Sequence, residues 1–388
     1  MDKKSEIQLL KSKSGSHSPS IETILELIGE EAIHIDACFL SNPYATELFW
    51  DRLALLQENR KAWLRRLEFY PPQNKEIAKR ISNATGIDRD RILVGNGAIE
   101  LIQSVISREV RGKMCVILPT FSPYYEFVNE YTEVIYYHLS HENGFHLDIK
   151  DYIAFVKENN INNVVIINPN NPDGGYISQE KLELLCREFA SLDNVIIDES
   201  FVHFAYEEDA LDAVSLENKV EDYANVVIIK SMSKDFGIAG IRAGYLVGRK
   251  SLVNRALSGG YLWNVSGLAD FFFTLYEDAD FRLQYEIVRK KYIRETKVFF
   301  DKLAGIVSKA GGRVFESKAN FVLIRLPDDL QKSSSDVMVD LLVDYGIYVR
   351  ECSDKKGLEG SYLRIASRTE AENTKMISSL THYLDENI

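Results

Sequence analysis

The sequence predicts an α/β protein in three layers, a mostly parallel sheet covered by helices on both faces, joined to a smaller α+β domain. Three observations carry this reading. Short β-rich runs alternate with amphipathic helical stretches through the middle of the chain, which is the pattern of a parallel sheet wrapped on both sides. The last part of the chain drops that alternation for strand, helix, strand, strand, helix. The length, 388 residues, gives room for two domains.

The large domain is placed at residues 46–260. Its strands are expected at Met114–Leu118, Val164–Asn168, Val195–Asp198, Val226–Lys230 and Gly244–Gly248. Between them, Ala98, Leu101, Ile102 and Val105 share one helical face, as do Leu182, Leu185, Cys186 and Phe189. The small domain is placed on both flanks, residues 21–45 plus 261–388. There Arg313–Leu326 reads as strand, Asp336–Tyr345 as helix, and Gly346–Arg350 and Tyr362–Ala366 as strands. Thr369 with Glu372 forms a capping box ahead of the apolar positions Met376, Ile377, Leu380 and Leu384. Ile21–Ala32 is helical and is assigned to the small domain. Residues 1–20 are polar, rich in Lys and Ser, and read as a flexible tail.

Composition narrows the function. The formal charge is −12 and no long basic run interrupts it, so nucleic acid and anionic membrane surfaces are excluded as expected partners. No apolar run reaches the length of a membrane span, and the N-terminus lacks the apolar core of a secretory signal. Cys38, Cys115, Cys186 and Cys352 are far apart and form no CxxC pair, which argues against zinc and disulfides and for a reducing cytoplasm. His138, His141 and His146 sit around a turn with Glu142, Asn143 and Gly144, a solvated context, and no metal site is expected.

Three segments fall at expected strand ends in the large domain: Asn168-Pro-Asn-Asn-Pro-Asp-Gly174, Val195-Ile-Ile-Asp-Glu-Ser200, and Lys230-Ser-Met-Ser-Lys-Asp-Phe-Gly-Ile-Ala-Gly-Ile-Arg-Ala-Gly-Tyr245. In the last, Lys234 follows a strand and two hydroxyl residues. Ser231 and Ser233 can donate to an anion and Arg242 can grip it with a planar fork. A lysine amine beside such a phosphate seat can form an imine with an aldehyde when its pKa is lowered. Asp198 supplies a carboxylate that can keep a ring nitrogen protonated, and Asn171 an amide for a phenolate oxygen. Val94-Gly-Asn-Gly-Ala-Ile-Glu100 leads from a short strand into a helix, whose first N–H groups form a phosphate seat. Phe121, in Pro119-Thr-Phe-Ser-Pro-Tyr124, offers an aromatic face. Each segment alone is an ordinary turn or strand end; together and in this order they point to pyridoxal 5′-phosphate (PLP).

The order GNGAIELI, PTFSPYYE, NPNNP, DESF and SMSKDFGIAGIRAGY resembles the fold-type I PLP enzymes of the class I/II aminotransferase superfamily. Within them it is most similar to histidinol-phosphate aminotransferases and threonine-phosphate decarboxylases. The resemblance spans most of residues 40–388. It implies that Lys234 carries the Schiff base and then shuttles the Cα proton, that Asp198 pairs with the pyridine nitrogen, and that Asn171 binds the ring hydroxyl. By the same resemblance Gly97, Ala98, Ile99, Ser231, Ser233 and Arg242 hold the phosphate, and Phe121 stacks on the ring. Arg364 matches an arginine that clamps a substrate carboxylate, Arg350 one that serves a distal anion, and Asn320 is a further candidate for that distal site. Tyr70 resembles a tyrosine that reaches a neighbouring subunit's cofactor, so a homodimer is expected.

The chain departs from the pattern at three places. Phe201 stands where the histidinol-phosphate aminotransferases commonly carry tyrosine, a feature of the phosphate-amino-acid decarboxylases. Ser41–Tyr44 and Gly260–Asn264, the latter expected at the substrate cleft, are unlike either branch. The leading expectation is an aminotransferase acting on a small amino acid or amine, possibly phosphorylated. The alternatives are α-decarboxylation of a phosphorylated amino acid, to which Phe201 points, and a PLP-binding sensor without turnover, for which the 20-residue tail is too short to supply a DNA-binding domain.

Overall fold

The computed structural model describes residues 3–207, 211–260 and 263–388. Among these residues twelve strands form two sheets. In chain order they are β1 (Ile35–Ala37), β2 (Ile92–Asn96), β3 (Gly112–Leu118), β4 (Thr132–His138), β5 (Asn163–Ile167), β6 (Asn194–Asp198), β7 (Val226–Ser231), β8 (Ala243–Val247), β9 (Arg313–Val314), β10 (Phe321–Arg325), β11 (Ile347–Glu351) and β12 (Tyr362–Ala366).

The seven-stranded sheet has the order β2-β8-β7-β6-β5-β3-β4. β4, β3, β5, β6 and β7 run parallel, and β8 is antiparallel to both its neighbours, so β2 points the same way as β7. Strands β5 and β6 are buried at every residue, as strands covered on both faces must be. Helix Ala98–Glu109 packs Leu101, Ile102 and Val105 on one face with Leu252 and Val253, and helix Gln179–Glu188 packs Leu182, Leu185 and Cys186 on the other. This is the three-layer α/β arrangement expected from the alternation of strand and helix.

The second sheet has five strands in the order β1-β11-β12-β10-β9, parallel only between β1 and β11. Helix Glu370–Asn387 begins with the capping box foreseen at Thr369 and Glu372. Helix Ser334–Tyr345 starts two residues before the expected Asp336, because Ser333 and Asp336 make a capping box of their own. A helix of 31 residues, Ala279–Lys309, carries a buried stripe of Phe281, Tyr285, Tyr292, Phe299, Leu303 and Val307 and touches both cores.

The expectation of a flexible tail at residues 1–20 is corrected. Lys3–Lys13 is a helix. Ile7 is 1% exposed in the core of the second sheet, Lys4 pairs with Asp340 and Asp344, Gln8 donates to Asp336, and Lys11 pairs with Asp354. Its polar composition hides an element held mainly by ion pairs. No helix among the described residues is long and apolar enough to cross a membrane.

Candidate active site

Parallel strands put the carboxyl ends of β2, β3, β5, β6 and β7 on one edge, where ligands of such sheets bind. Register fixes the depth: Asp198, the last residue of β6, is level with Ile167 of β5 and Ile229 of β7. A cavity of about 480 Å³ opens there. Lys234, Asp198, Asn171, Ser231, Ser233, Arg242, Ala98, Ile99, Phe121, Arg350 and Arg364, all singled out in the sequence, line it.

Asp198 is 4% exposed, and its two oxygens accept from the Tyr124 hydroxyl at 2.8 Å and the Ser200 N–H at 2.9 Å. Burial pushes its carboxyl above the usual range, and the bonds from Ser200 and Tyr124 pull it back. A protonated ring nitrogen set against it would offset the penalty that burial puts on the charged carboxylate. The Tyr124 hydroxyl, in a motif that the sequence offers only for Phe121, orients the carboxylate.

Lys234 lies in the turn after β7. Burial, with Arg364 and Arg242 nearby, lowers its ammonium to about 8, so a good part of the amine is neutral near physiological pH. Asn171 accepts at Oδ1 from Arg364 Nη1 at 2.7 Å, which fixes the amide with its oxygen toward the arginine.

The phosphate cradle is built by close backbone approach. Gly97 caps helix Ala98–Glu109 at φ 74°, and a Cβ there would stand 2.4 Å from Arg242 Nη2. A Cβ on Gly244 would meet the Ala98 nitrogen at 2.7 Å. Only glycines let β8, the helix N-terminus and Arg242 converge this tightly. Ser233 Oγ is buried without a partner, a donor kept for an absent acceptor. Helix N-terminus, free hydroxyl and guanidinium fit a phosphate; lysine, aspartate, asparagine and aromatic face fit the ring of PLP.

Across the cavity, the second sheet contributes Arg350 and Arg364, paired residues of β11 and β12. Arg364 Nη2 donates to the Cys38 carbonyl at 2.7 Å and its Nε is buried without a partner. Arg350 Nη2 donates to Asp354 at 2.7 Å and to the Ser16 carbonyl at 2.9 Å, and its Nη1 is unpartnered. Phe201 is 5% exposed, lines the cavity and packs edge-on against Phe321.

Three candidates do not line the cavity: Gly97, which stands behind its wall as the helix cap, and Asn320 and Tyr70. Asn320 is buried elsewhere, its amide nitrogen spent on the Leu40 carbonyl at 3.0 Å and the Tyr292 hydroxyl at 3.3 Å. Tyr70 is 81% exposed and lies against Trp263, ring centroids 5.2 Å apart. Of the expected cleft segment 260–264, Tyr261 and Leu262 lie outside the described residues. Sequence reasoning missed Ser16, His17, Ser18 and Lys355, which also line the cavity. The first three sat in the supposed tail, and Lys355 sits in a charged stretch, Asp354-Lys-Lys-Gly357, that reads as a solvated turn.

A partly buried lysine just past the end of a parallel-sheet strand, an aspartate one strand over and a glycine-built phosphate cradle define a PLP-dependent enzyme of fold type I. The chain belongs to the aminotransferase class I and II family, whose model matches residues 54–380. It is 48% identical to an L-serine phosphate decarboxylase of Campylobacter jejuni over 98% of this chain and 96% of that one. It is 41% identical to an L-serine phosphate decarboxylase of Sulfurospirillum multivorans over 97% and 95%. A solved decarboxylase structure from Sulfurospirillum multivorans superposes with a TM-score of 0.91 at 40% identity, covering 98% of this chain and 96% of that one. The histidinol-phosphate aminotransferase of Clostridium acetobutylicum gives 0.76 at 28% identity, covering 91% and 99%. These similarities favour the decarboxylase alternative over the transamination placed first from sequence.

Proposed function

We propose that the protein is a PLP-dependent α-decarboxylase of a small phosphorylated amino acid, L-serine phosphate or a near analogue. The observation that carries the substrate class is the cation wall of Arg350, Arg364 and Lys355 on one side of the cavity that holds Lys234. The close likeness to two L-serine phosphate decarboxylases carries the choice of reaction.

Bound PLP supplies an electron sink for the pair left behind when a bond to Cα breaks. Everything else falls to this chain. Lys234 forms the covalent link and then holds or delivers a proton at Cα from its Nζ. Asp198, fixed by Tyr124 and Ser200, keeps the ring nitrogen protonated. Asn171 donates to the ring oxygen. Ser231, Ser233, Arg242 and the N–H groups of Ala98 and Ile99, past Gly97, anchor the phosphate of the cofactor. Arg364 takes the substrate carboxylate and Arg350 the distal phosphate. By holding the two anionic ends of the substrate, Arg364 and Arg350 would decide which bond to Cα is presented for cleavage. Phe201 brings no hydroxyl to the cofactor oxygen and leaves an apolar wall, a setting in which loss of charge from a carboxylate is favoured.

The active unit is a homodimer. Trp50, Leu55, Leu67, Phe69, Tyr70 and Trp263 are exposed on neighbouring elements, an apolar surface of the kind that a second copy covers. Tyr70 then reaches the partner's cavity. Sedimentation that returns a monomer at working concentration contradicts this.

The test is to add a panel of amino acids and their phosphate esters to the cofactor-loaded protein and to assay carbon dioxide and the amine form of the cofactor together. Decarboxylation gives carbon dioxide with no oxo acid added. Transamination gives the amine form and no gas.

A further inference from the structure

The stretch from Ser16 to Ser18 crosses the cavity mouth between the two sheets. Ser16 Oγ donates to Glu126 at 2.6 Å and Ser122 Oγ lies 3.0 Å from it, on the side of the large sheet. The Ser16 carbonyl points the other way and accepts from Arg350 Nη2 at 2.9 Å and Lys355 Nζ at 3.0 Å. One neutral oxygen therefore holds two cations side by side.

Lys355 is 7% exposed, and no carboxylate among the described residues forms an ion pair with it. Its neighbour Asp354 is taken by Arg350 and Lys11, and Glu351 lies near Lys11 as well. Around this end of the cavity Asp354 and Glu351 answer Arg350 and Lys11, and Asp36 acts on Arg364, so among these four cations Lys355 is the one with neither an ion pair nor a carboxylate of its own. A nearly buried cation without an ion pair is costly: burial, with Arg350 beside it, lowers the Lys355 ammonium to about 8, and Asp354, already paired with Arg350 and Lys11, offsets this only in part. A structural lysine that only tied down the chain at Ser16 needs no such setting. A phosphate monoester, close to a dianion at neutral pH, supplies the missing charge and three acceptor oxygens for the unpartnered Arg350 Nη1 and the remaining Nζ hydrogens.

We propose that Lys355 is a specificity-determining residue: with Arg350, and positioned by the Ser16 carbonyl, it seats the phosphate of the substrate and separates phosphorylated from unphosphorylated amino acids. This rests on the proposed phosphorylated substrate. Lys355→Met keeps the buried stem and removes the charge, and Lys355→Arg keeps the charge.

The experiment uses the cofactor-loaded enzyme and its two variants with L-serine phosphate, L-serine and inorganic phosphate. In Lys355→Met the KM for L-serine phosphate rises about tenfold or more, and the kcat/KM preference for L-serine phosphate over L-serine falls by a similar factor, the usual worth of a charged contact. Competitive inhibition by inorganic phosphate weakens in parallel, and Lys355→Arg recovers most of both. Equal losses on both substrates, or a fall in kcat with unchanged KM, would show that Lys355 only anchors the Ser16 stretch and overturn the inference. If the wild type prefers unphosphorylated amino acids, the proposed function fails instead. Inorganic phosphate then decides the seat: inhibition lost in Lys355→Met upholds it, and inhibition equal in both proteins removes it.

Discussion

Arg350 on β11 and Arg364 on β12 are register partners in the antiparallel pair, so two guanidinium side chains leave one sheet face side by side. Like charges directly opposite each other destabilise a sheet. Here each is held by a separate set of acceptors, Asp354 and Ser16 for Arg350, Asn171 and Cys38 for Arg364. A molecule carrying two anionic groups a few ångström apart offsets what the fold tolerates.

Arg350→Leu is therefore expected to raise the KM for L-serine phosphate by about ten- to a hundredfold, the range for a lost charged hydrogen bond. Steady-state kinetics read this directly. An unchanged KM would place the distal anion elsewhere.

Lys234 should capture the cofactor aldehyde with the pH dependence of a lowered lysine. Only the neutral amine attacks, so the rate of PLP uptake by the cofactor-free protein rises with pH through about 8 and levels above it. A lysine without the burial and without Arg364 would still be gaining reactivity near pH 10. Stopped-flow absorbance at a series of pH values distinguishes the two, and Lys234→Ala shows no covalent uptake at any pH.

Lys230, four residues earlier, has a different task. It is 1% exposed, 3.1 Å from Glu217 and 3.8 Å from Glu199. Burial opposes its charge, but the two glutamates outweigh it and raise the pKa. Lys230→Met leaves two carboxylates buried together, so a loss of about 3–5 kcal/mol in unfolding free energy is expected. Denaturant melts of the cofactor-free protein measure it.

Gly244→Ala should abolish the phosphate cradle. Its Cβ would stand 2.7 Å from the Ala98 nitrogen and 3.0 Å from the Lys230 carbonyl, both backbone atoms that cannot swing away. Cofactor affinity is expected to fall at least about tenfold, given the loss of a charged N–H contact to phosphate. Equilibrium dialysis with PLP gives the number.

The parts of the fold that were legible in the sequence are those where a strand end coincides with chemistry. β5, β6 and β7 announce themselves as apolar runs, with Asn171 just past the first, Asp198 closing the second and Lys234 just past the third. The parts that were not legible depend on contacts between distant segments. Lys3–Lys13 is mostly polar, puts Ile7 into the core, and is fixed by Asp336, Asp340, Asp344 and Asp354, more than three hundred residues away. Lys355 looks like one more charge in a turn until the Ser16 carbonyl and Arg350 are placed beside it. Asn320 misled for the opposite reason: the resemblance made it a candidate for the distal anion, but the Leu40 carbonyl and the Tyr292 hydroxyl take up its amide nitrogen.

The most direct measurement is a product balance on L-serine phosphate with the cofactor-loaded protein and no oxo acid present. Carbon dioxide and 2-aminoethyl phosphate in equal amounts, over many turnovers, are the expected result. A single turnover that stops at the amine form of the cofactor, with an oxo acid released and no carbon dioxide, would contradict the account and return the protein to the aminotransferases.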